Sequence, residues 1–75
     1  MKALIKILNE LHPEVNFEAE TALVDGGILD SLDIVTLITE INQEYDVSIP
    51  AQEITPENFN SVGAIMRLIK KIDEA

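Results

Sequence analysis

The part of the chain best suited to chemistry is a serine hydroxyl that directly follows a glycine-containing loop, in residues 27–33 (GILDSLD). Asp30 is a favourable N-cap residue, and Asp33 stands where a capping box has its acidic partner, so we predict a helix that begins at Asp30 or Ser31. The first turn of a helix offers free backbone N–H groups and the positive end of the helix dipole. A phosphate attached to the Ser31 oxygen would be stabilised there.

The residues next to Ser31 determine how exposed its hydroxyl is to solvent. Leu29 and Leu32 are apolar, and we expect both to turn inward, which would leave the Ser31 side chain facing water. The simpler alternative is that Asp30 and Ser31 only cap the helix, because many helices start with such residues.

The other residue types that carry chemistry do not form a catalytic or metal site. His12 is the only histidine, and a serine hydrolase would need it beside Ser31, whose neighbours lack the Gly-x-Ser-x-Gly turn. We expect His12 at the carboxyl end of the first helix, where positive charge is favourable. The acids Asp25, Asp30 and Asp33 lack EF-hand spacing, so we predict no metal site beyond weak cation binding near them.

The elements that position Ser31 follow from the apolar spacing. A first helix is predicted from about residue 2 to 12, since Pro13 disfavours helical geometry before it. A long ordered loop follows, held to the core by apolar side chains up to Leu29. The second helix should end near Tyr45-Asp46, before an extended segment at residues 47–50. Its predicted apolar face consists of Leu32, Ile34, Val35, Leu37, Ile38, Ile41 and Tyr45.

Two helices are predicted in the remaining chain. Thr55-Pro56 is a typical helix start, which predicts one short turn that ends at Phe59. The last helix should begin around Asn60 or Ser61, and its buried stripe is Val62, Ile65, Met66, Ile69 and Ile72. No strand is predicted. The fold class is therefore all-α, a small four-helix bundle of three main helices and one short helix, with a long loop between helices one and two.

Composition limits the possible functions. The 75 residues suffice for a single domain over residues 1–75, and a formal net charge of −9 disfavours nucleic acid and favours partners with basic surfaces. No apolar run is long enough to span a membrane, and the amino terminus does not resemble a signal peptide. The absence of cysteine fits a reducing cytoplasm.

Residues 30–33 (DSLD), the helix after them and residues 45–50 (YDVSIP) together resemble the acyl carrier protein family. The resemblance extends over nearly the whole chain and includes the order of the helices. It implies that Ser31 is the attachment site of 4′-phosphopantetheine, transferred from coenzyme A by a phosphopantetheinyl transferase. The thiol of that arm would carry acyl or aminoacyl cargo as a thioester, and the chain itself would not be an enzyme.

The resemblance points to more than one branch of this family. Residues 27–31 (GILDS) are similar to D-alanyl carriers and to many stand-alone peptidyl carriers. The same group is indicated by residues 56–59 (PENF), which are followed by Ser61-Val62. Leu32-Asp33 instead resembles the fatty-acid and polyketide branch. The cargo therefore stays open among fatty acyl, polyketide, amino acid and D-alanine.

Acidic residues at the start of helix two and along its exposed side are the predicted contacts for partner enzymes. Similar acids in the family contact basic residues, which implies a recognition role for Asp30, Asp33, Glu40 and Glu44. The implied partners are the transferase, a cargo-loading ligase or acyltransferase, and downstream synthases, with the chain acting as a monomer. Two alternatives remain: these acids are only a solvated helix face, or the chain is an unmodified acidic helical module that docks a basic partner.

Overall fold

The computed structural model describes residues 2–74 and is all-helical there, with no strand. The helices are α1 (Lys2–Leu11), α2 (Ser31–Tyr45), α3 (Pro56–Phe59) and α4 (Val62–Glu74), and a single 3₁₀ turn at Ala51–Glu53 precedes α3. The predicted all-α class, the four helices and the long first connection are confirmed. The 3₁₀ turn was not predicted. None of the helices in residues 2–74 is long and apolar enough to cross a bilayer.

The ends of the helices follow from local chemistry. The backbone N–H of His12 makes the final helical hydrogen bond of α1, 3.0 Å from the Leu8 carbonyl oxygen, and Pro13 then prevents continuation. Thr55 caps α3 by accepting a hydrogen bond from the Asn58 N–H. The Ser61 hydroxyl oxygen accepts one from the Ala64 N–H at 3.1 Å, which makes Ser61 the N-cap of α4. The predicted starts of these elements are therefore confirmed.

The core lies where α1, α2 and α4 meet beneath the first loop. Phe17, Leu23 and Leu29 of that loop are buried, so the loop is held against the helices as predicted. The remaining members of the cluster are Leu4, Ile7, Leu8, Leu37, Ile41, Phe59, Val62, Ile65, Leu68 and Ile69. Removing this apolar surface from water is the main stabilising term for a domain of this size.

The apolar face predicted for α2 is wrong at two positions. Leu32 is 73% exposed and Val35 is 61% exposed, whereas Leu37 and Ile41 are fully buried. Each residue advances the helix by about 100°, so Leu32 lies about 140° around the helix from Leu37 and cannot share its side. The inward side of α2 consists of Ile34, Leu37, Ile38, Ile41 and Tyr45, as the core contacts show.

Candidate functional site

Ser31 is the first residue of α2, and its side chain is exposed. The preceding Asp30 has extended backbone angles, φ −96° and ψ −177°, so the chain enters the helix abruptly at Ser31. Among the side-chain hydrogen bonds of residues 2–74, none involves the Ser31 hydroxyl, although other serine and threonine side chains do form them. The Ser31 side chain is therefore exposed to water and does not cap the helix, whose N-cap is Asp30.

The predicted capping box is present. Oδ1 of Asp30 accepts a hydrogen bond from the Asp33 backbone N–H at 2.8 Å, and Oδ2 of Asp33 accepts one from the Asp30 N–H at 3.4 Å. The backbone N–H groups of Ser31 and Leu32 have no acceptor within residues 2–74. They surround the serine at the positive end of a 15-residue helix. This arrangement fits a phosphodiester on the Ser31 oxygen.

The two glycines before Ser31 are needed for the turn of the loop. Gly27 has a φ of +77°, a conformation that other residues rarely adopt. A Cβ atom on Gly26 would lie 2.6 Å from the carbonyl oxygen of Ala22. After this turn, the Leu29 N–H donates to the Leu23 carbonyl oxygen at 2.8 Å. That bond and the burial of Leu29 bring the chain to Asp30 and Ser31.

Asn60, at the junction of α3 and α4, holds the same loop from the other side. Its Oδ1 accepts hydrogen bonds from the backbone N–H groups of Val24 and Asp25, both at 3.0 Å. Its backbone carbonyl oxygen accepts a third from the Leu23 N–H at 2.9 Å. The sequence indicated Asn60 only as a possible start of the last helix and did not predict this role, since nothing in the local pattern connects it to the loop.

Two exposed apolar side chains, Leu32 and Val35, follow Ser31 on α2, and Thr36 and Thr39 lie near them on the same helix. The Thr36 hydroxyl donates to the Leu32 carbonyl oxygen at 3.1 Å, and the Thr39 hydroxyl donates to the Val35 carbonyl oxygen at 3.0 Å. These bonds satisfy the two hydroxyl protons within the helix. Leu29 is buried as predicted, but the expectation that Leu32 turns inward is wrong.

His12 lies against the first turn of α2. Its Nε2 is 2.8 Å from Oδ2 of Asp33, and its Nδ1 is 3.4 Å from Oε1 of Glu14. The hydrogen bond with Asp33 is the main cause of a pKa for His12 above its ordinary value of 6.5. The same bond lowers the pKa of Asp33 below its ordinary value of 3.8. The sequence placed His12 correctly after α1 but gave no sign of this contact.

The four acids predicted to contact partners differ in their surroundings. The carboxylates of Asp30 and Asp33 are both used in the capping box, and the Asp33 side chain is only 21% exposed. Glu40 and Glu44 are exposed on α2. They lie four positions apart, so they occupy one stripe of the helix surface.

The expected weak cation site near Asp25, Asp30 and Asp33 is not formed. Asp25 accepts a hydrogen bond from the Asn60 side-chain amide at 3.0 Å, whereas Asp33 is bound to His12. Within residues 2–74, no group of three or more potential metal ligands comes together. Each of these acids is therefore occupied by local hydrogen bonds.

A surface groove of about 490 Å³ runs along α1, and Ser31 is not among its lining residues. Its lining residues are Lys2, Ile5, Lys6, Asn9, Glu10 and Glu18. The serine, in contrast, stands on an open surface at the start of α2. The fold and the site thus define a class of small helical domains that expose a serine hydroxyl at the first turn of a helix.

Comparison with known proteins identifies this class. A family model described as "Phosphopantetheine attachment site" matches residues 2–69. The chain therefore belongs to the phosphopantetheine attachment family, the family of the acyl carrier proteins, as its sequence features predicted. Members of this family attach a phosphopantetheine prosthetic group, so residues 2–69 hold a site for that group.

Several curated relatives are similar over most of the chain. Identity is 44% over 61 residues with aminoacyl carrier protein 1, and 43% over 60 residues with aminoacyl carrier protein 2, both of Bradyrhizobium diazoefficiens. These matches cover 81% and 80% of the chain but only 64% and 60% of the relatives' own lengths. Identity with the D-alanyl carrier protein of Streptococcus mutans is 32% over 73 residues, which covers 96% of the chain and 92% of that protein.

Proposed function

We propose that Ser31 carries the phosphopantetheine arm, and that the chain is a non-catalytic carrier that delivers thioester-linked cargo to partner enzymes. The observation that carries this proposal is the exposed Ser31 hydroxyl at the first position of α2, next to two backbone N–H groups without acceptors in residues 2–74. Ser48, also exposed, follows α2 and has no helix start beside it, and Ser61 is engaged as a cap.

The residues of the chain have distinct tasks in this function. The capping box fixes the turn that bears Ser31, and Asn60 and Leu29 fix the loop that leads to it. The free N–H groups of Ser31 and Leu32 would stabilise the phosphodiester charge. The arm, when bound, supplies the terminal thiol that holds the cargo. Because the cargo is tethered, its effective concentration at a docked enzyme is high.

The experiment is intact-mass measurement after incubation with coenzyme A, Mg²⁺ and a broad-specificity phosphopantetheinyl transferase. We expect the wild-type chain and Ser48→Ala to gain the mass of one phosphopantetheine group, and Ser31→Ala to gain none. Circular dichroism should show that both variants remain helical. Modification of Ser31→Ala would refute the attachment site. A wild-type chain that stays unmodified would favour the alternative of an unmodified acidic interaction module.

We further propose that the cargo is an amino acid. The support is the similarity to two proteins named aminoacyl carriers and one named D-alanyl carrier, together with the GILDS run at residues 27–31. The modified chain is incubated with ATP and either an amino-acid:carrier ligase with glycine or D-alanine, or an acyl:carrier synthetase with a fatty acid. Loading by the fatty-acid enzyme alone would refute amino-acid cargo and point to the fatty-acid branch.

The exposed side of α2 is the proposed docking surface for these enzymes. Leu32 and Val35 provide an apolar centre close to Ser31, and Glu40 and Glu44 provide negative charge on the same helix. A net charge of −9 steers the chain toward enzymes with basic surfaces. A carrier that moves between enzymes requires brief contacts, which small interfaces provide.

A further inference from the structure

His12 joins the end of α1 to the start of α2. The two contacting residues, His12 and Asp33, are 21 positions apart in sequence, and the distance between Nε2 and Oδ2 is 2.8 Å. The contact is partly shielded from water, since the His12 and Asp33 side chains are 26% and 21% exposed. A charge-assisted hydrogen bond of this length is stronger than one between neutral groups.

The carboxylate oxygen that binds His12 also belongs to the capping box. Oδ2 of Asp33 receives both the imidazole Nε2 and, at 3.4 Å, the backbone N–H of Asp30. Asp30 and Asp33 are the residues on either side of the Ser31-Leu32 pair. Asp33 therefore links the imidazole of His12 to the hydrogen bonds that define the turn bearing Ser31.

We propose that His12 is a positioning residue for Ser31. Bound to Asp33, its imidazole holds the first turn of α2 in the geometry that the modifying enzyme uses, and it holds that turn more firmly when protonated. A serine on a fixed turn reaches a partner's active site already oriented, whereas a frayed turn must first be ordered.

The charges around His12 all favour its protonated form. Glu14, from the loop that follows α1, and Asp33, from α2, are the acids in contact with the imidazole. Within residues 2–74, the one ion pair made by α4 joins Lys71 to Glu53, so no group of that helix is paired with His12. The hydrogen bond with Asp33, followed by its charge and by Glu14, outweighs partial burial and raises the pKa of His12.

The direction of the pH dependence follows from these shifts. Because folding raises the pKa of His12, its contribution is complete below the ordinary value of 6.5 and is lost as the pH rises through the folded pKa. Because folding lowers the pKa of Asp33, its contribution is complete above 3.8 and is lost as the pH falls through the folded pKa. The contact is thus strongest between 3.8 and 6.5 and weakens above that range.

The first measurement follows the titration of His12 in the wild-type chain and in Asp33→Asn. His12 is the sole histidine, so its imidazole proton signals can be followed by NMR as a function of pH without assignment ambiguity. We expect a midpoint above 6.5, and a lower midpoint in Asp33→Asn. A wild-type midpoint at or below 6.5 would overturn the proposal, whatever the variants do.

The second measurement is the rate of phosphopantetheine attachment from about pH 6 to about pH 9, for the wild type, His12→Gln and His12→Lys. Rates are compared as ratios at each pH, so the pH dependence of the transferase cancels. His12→Gln should be slower than wild type by about twofold to fivefold at the acidic end and equal to it at the alkaline end. His12→Lys keeps its charge throughout, so its rate relative to wild type should rise with pH.

The role proposed for His12 rests on attachment at Ser31, so the controls test the attachment and the role of His12 separately. A wild-type chain that is never modified refutes the proposed function. If modification is normal and the ratio of the His12→Gln rate to the wild-type rate does not change with pH, only the role of His12 is refuted. Glu14→Gln is the matched control: it removes the charge from the longer contact of 3.4 Å and leaves the Asp33 contact, so its ratio should change less with pH than that of His12→Gln.

Discussion

The side-chain amide of Asn60 donates a hydrogen bond of 3.0 Å to the carboxylate of Asp25, across 35 positions of sequence. This bond connects the α3–α4 junction to the loop that leads to Ser31. The loop has no regular secondary structure to support it, so such side-chain contacts and its buried leucines must determine its path. The position of the candidate attachment site therefore depends on a residue far from it in sequence.

Replacing Asn60 should destabilise the domain. In Asn60→Ala, the backbone N–H groups of Val24 and Asp25 lose their acceptor. We expect the free energy of unfolding to fall by about 1 to 3 kcal/mol, measured by urea denaturation. Asn16→Ala is the matched control, because the Asn16 side chain is exposed and its loss should change stability by less than about 0.5 kcal/mol. Equal effects from the two variants would contradict the role assigned to Asn60.

The two sides of α2 should respond differently to truncation. Leu37→Ala removes a fully buried side chain and should lower the free energy of unfolding by about 2 to 5 kcal/mol. Leu32→Ala removes one that is 73% exposed and should change it by less than about 0.5 kcal/mol. Leu32→Ala should instead slow modification or cargo loading, measured by intact mass. A destabilisation by Leu32→Ala as large as that by Leu37→Ala would mean that Leu32 packs inward after all.

These two leucines also show what the sequence can predict. Capping residues and prolines act locally, so the starts of α2, α3 and α4 were predictable from Asp30, Thr55-Pro56 and Ser61. The apolar spacing of α2 was ambiguous, because its apolar residues extend most of the way around the helix and only the position of α1 and α4 decides which side is buried. The available signal was the presence of two polar residues near Leu32 and Val35, the half-buried Thr36 and the exposed Thr39.

The sequence predicted the serine and the capping box of the candidate site, but not the distant residues that hold them in place. Ser31 and the Asp30–Asp33 capping box lie within four consecutive residues, where local rules apply. The contact between His12 and Asp33 and the contacts of Asn60 join distant parts of the chain. Such contacts depend on how the loop folds over the helices, which a residue pattern alone does not specify.

The exposed acids of α2 should govern the rate of partner encounter. With Asp33 occupied by His12, the acids free to meet a basic surface are Glu40 and Glu44. The double variant Glu40→Lys/Glu44→Lys should slow modification by about threefold to tenfold at low salt. Added salt should reduce the difference from wild type, because exposed charges are screened over about 10 Å at 0.1 M.

A charge-matched variant separates this local effect from net charge. Glu18→Lys/Glu57→Lys changes the same number of exposed acids but lies outside α2, so we expect a smaller loss of rate. Equal slowing by both double variants would mean that only the total charge matters. An unchanged rate for the α2 variant would mean that Glu40 and Glu44 belong to an ordinary solvated helix face and do not contact the partner.

Salt should stabilise the fold, and divalent cations should do so only through their ionic strength. Fourteen acids face five bases, so mutual repulsion opposes a small core. Screening this repulsion should raise the melting temperature, followed by circular dichroism. Since Asp25 is bound to Asn60 and Asp33 to His12, and no three metal ligands meet within residues 2–74, MgCl₂ and NaCl at equal ionic strength should give equal increases. A larger increase with MgCl₂ would show that acids rearrange to bind the cation, and no increase with either salt would mean that repulsion does not limit stability.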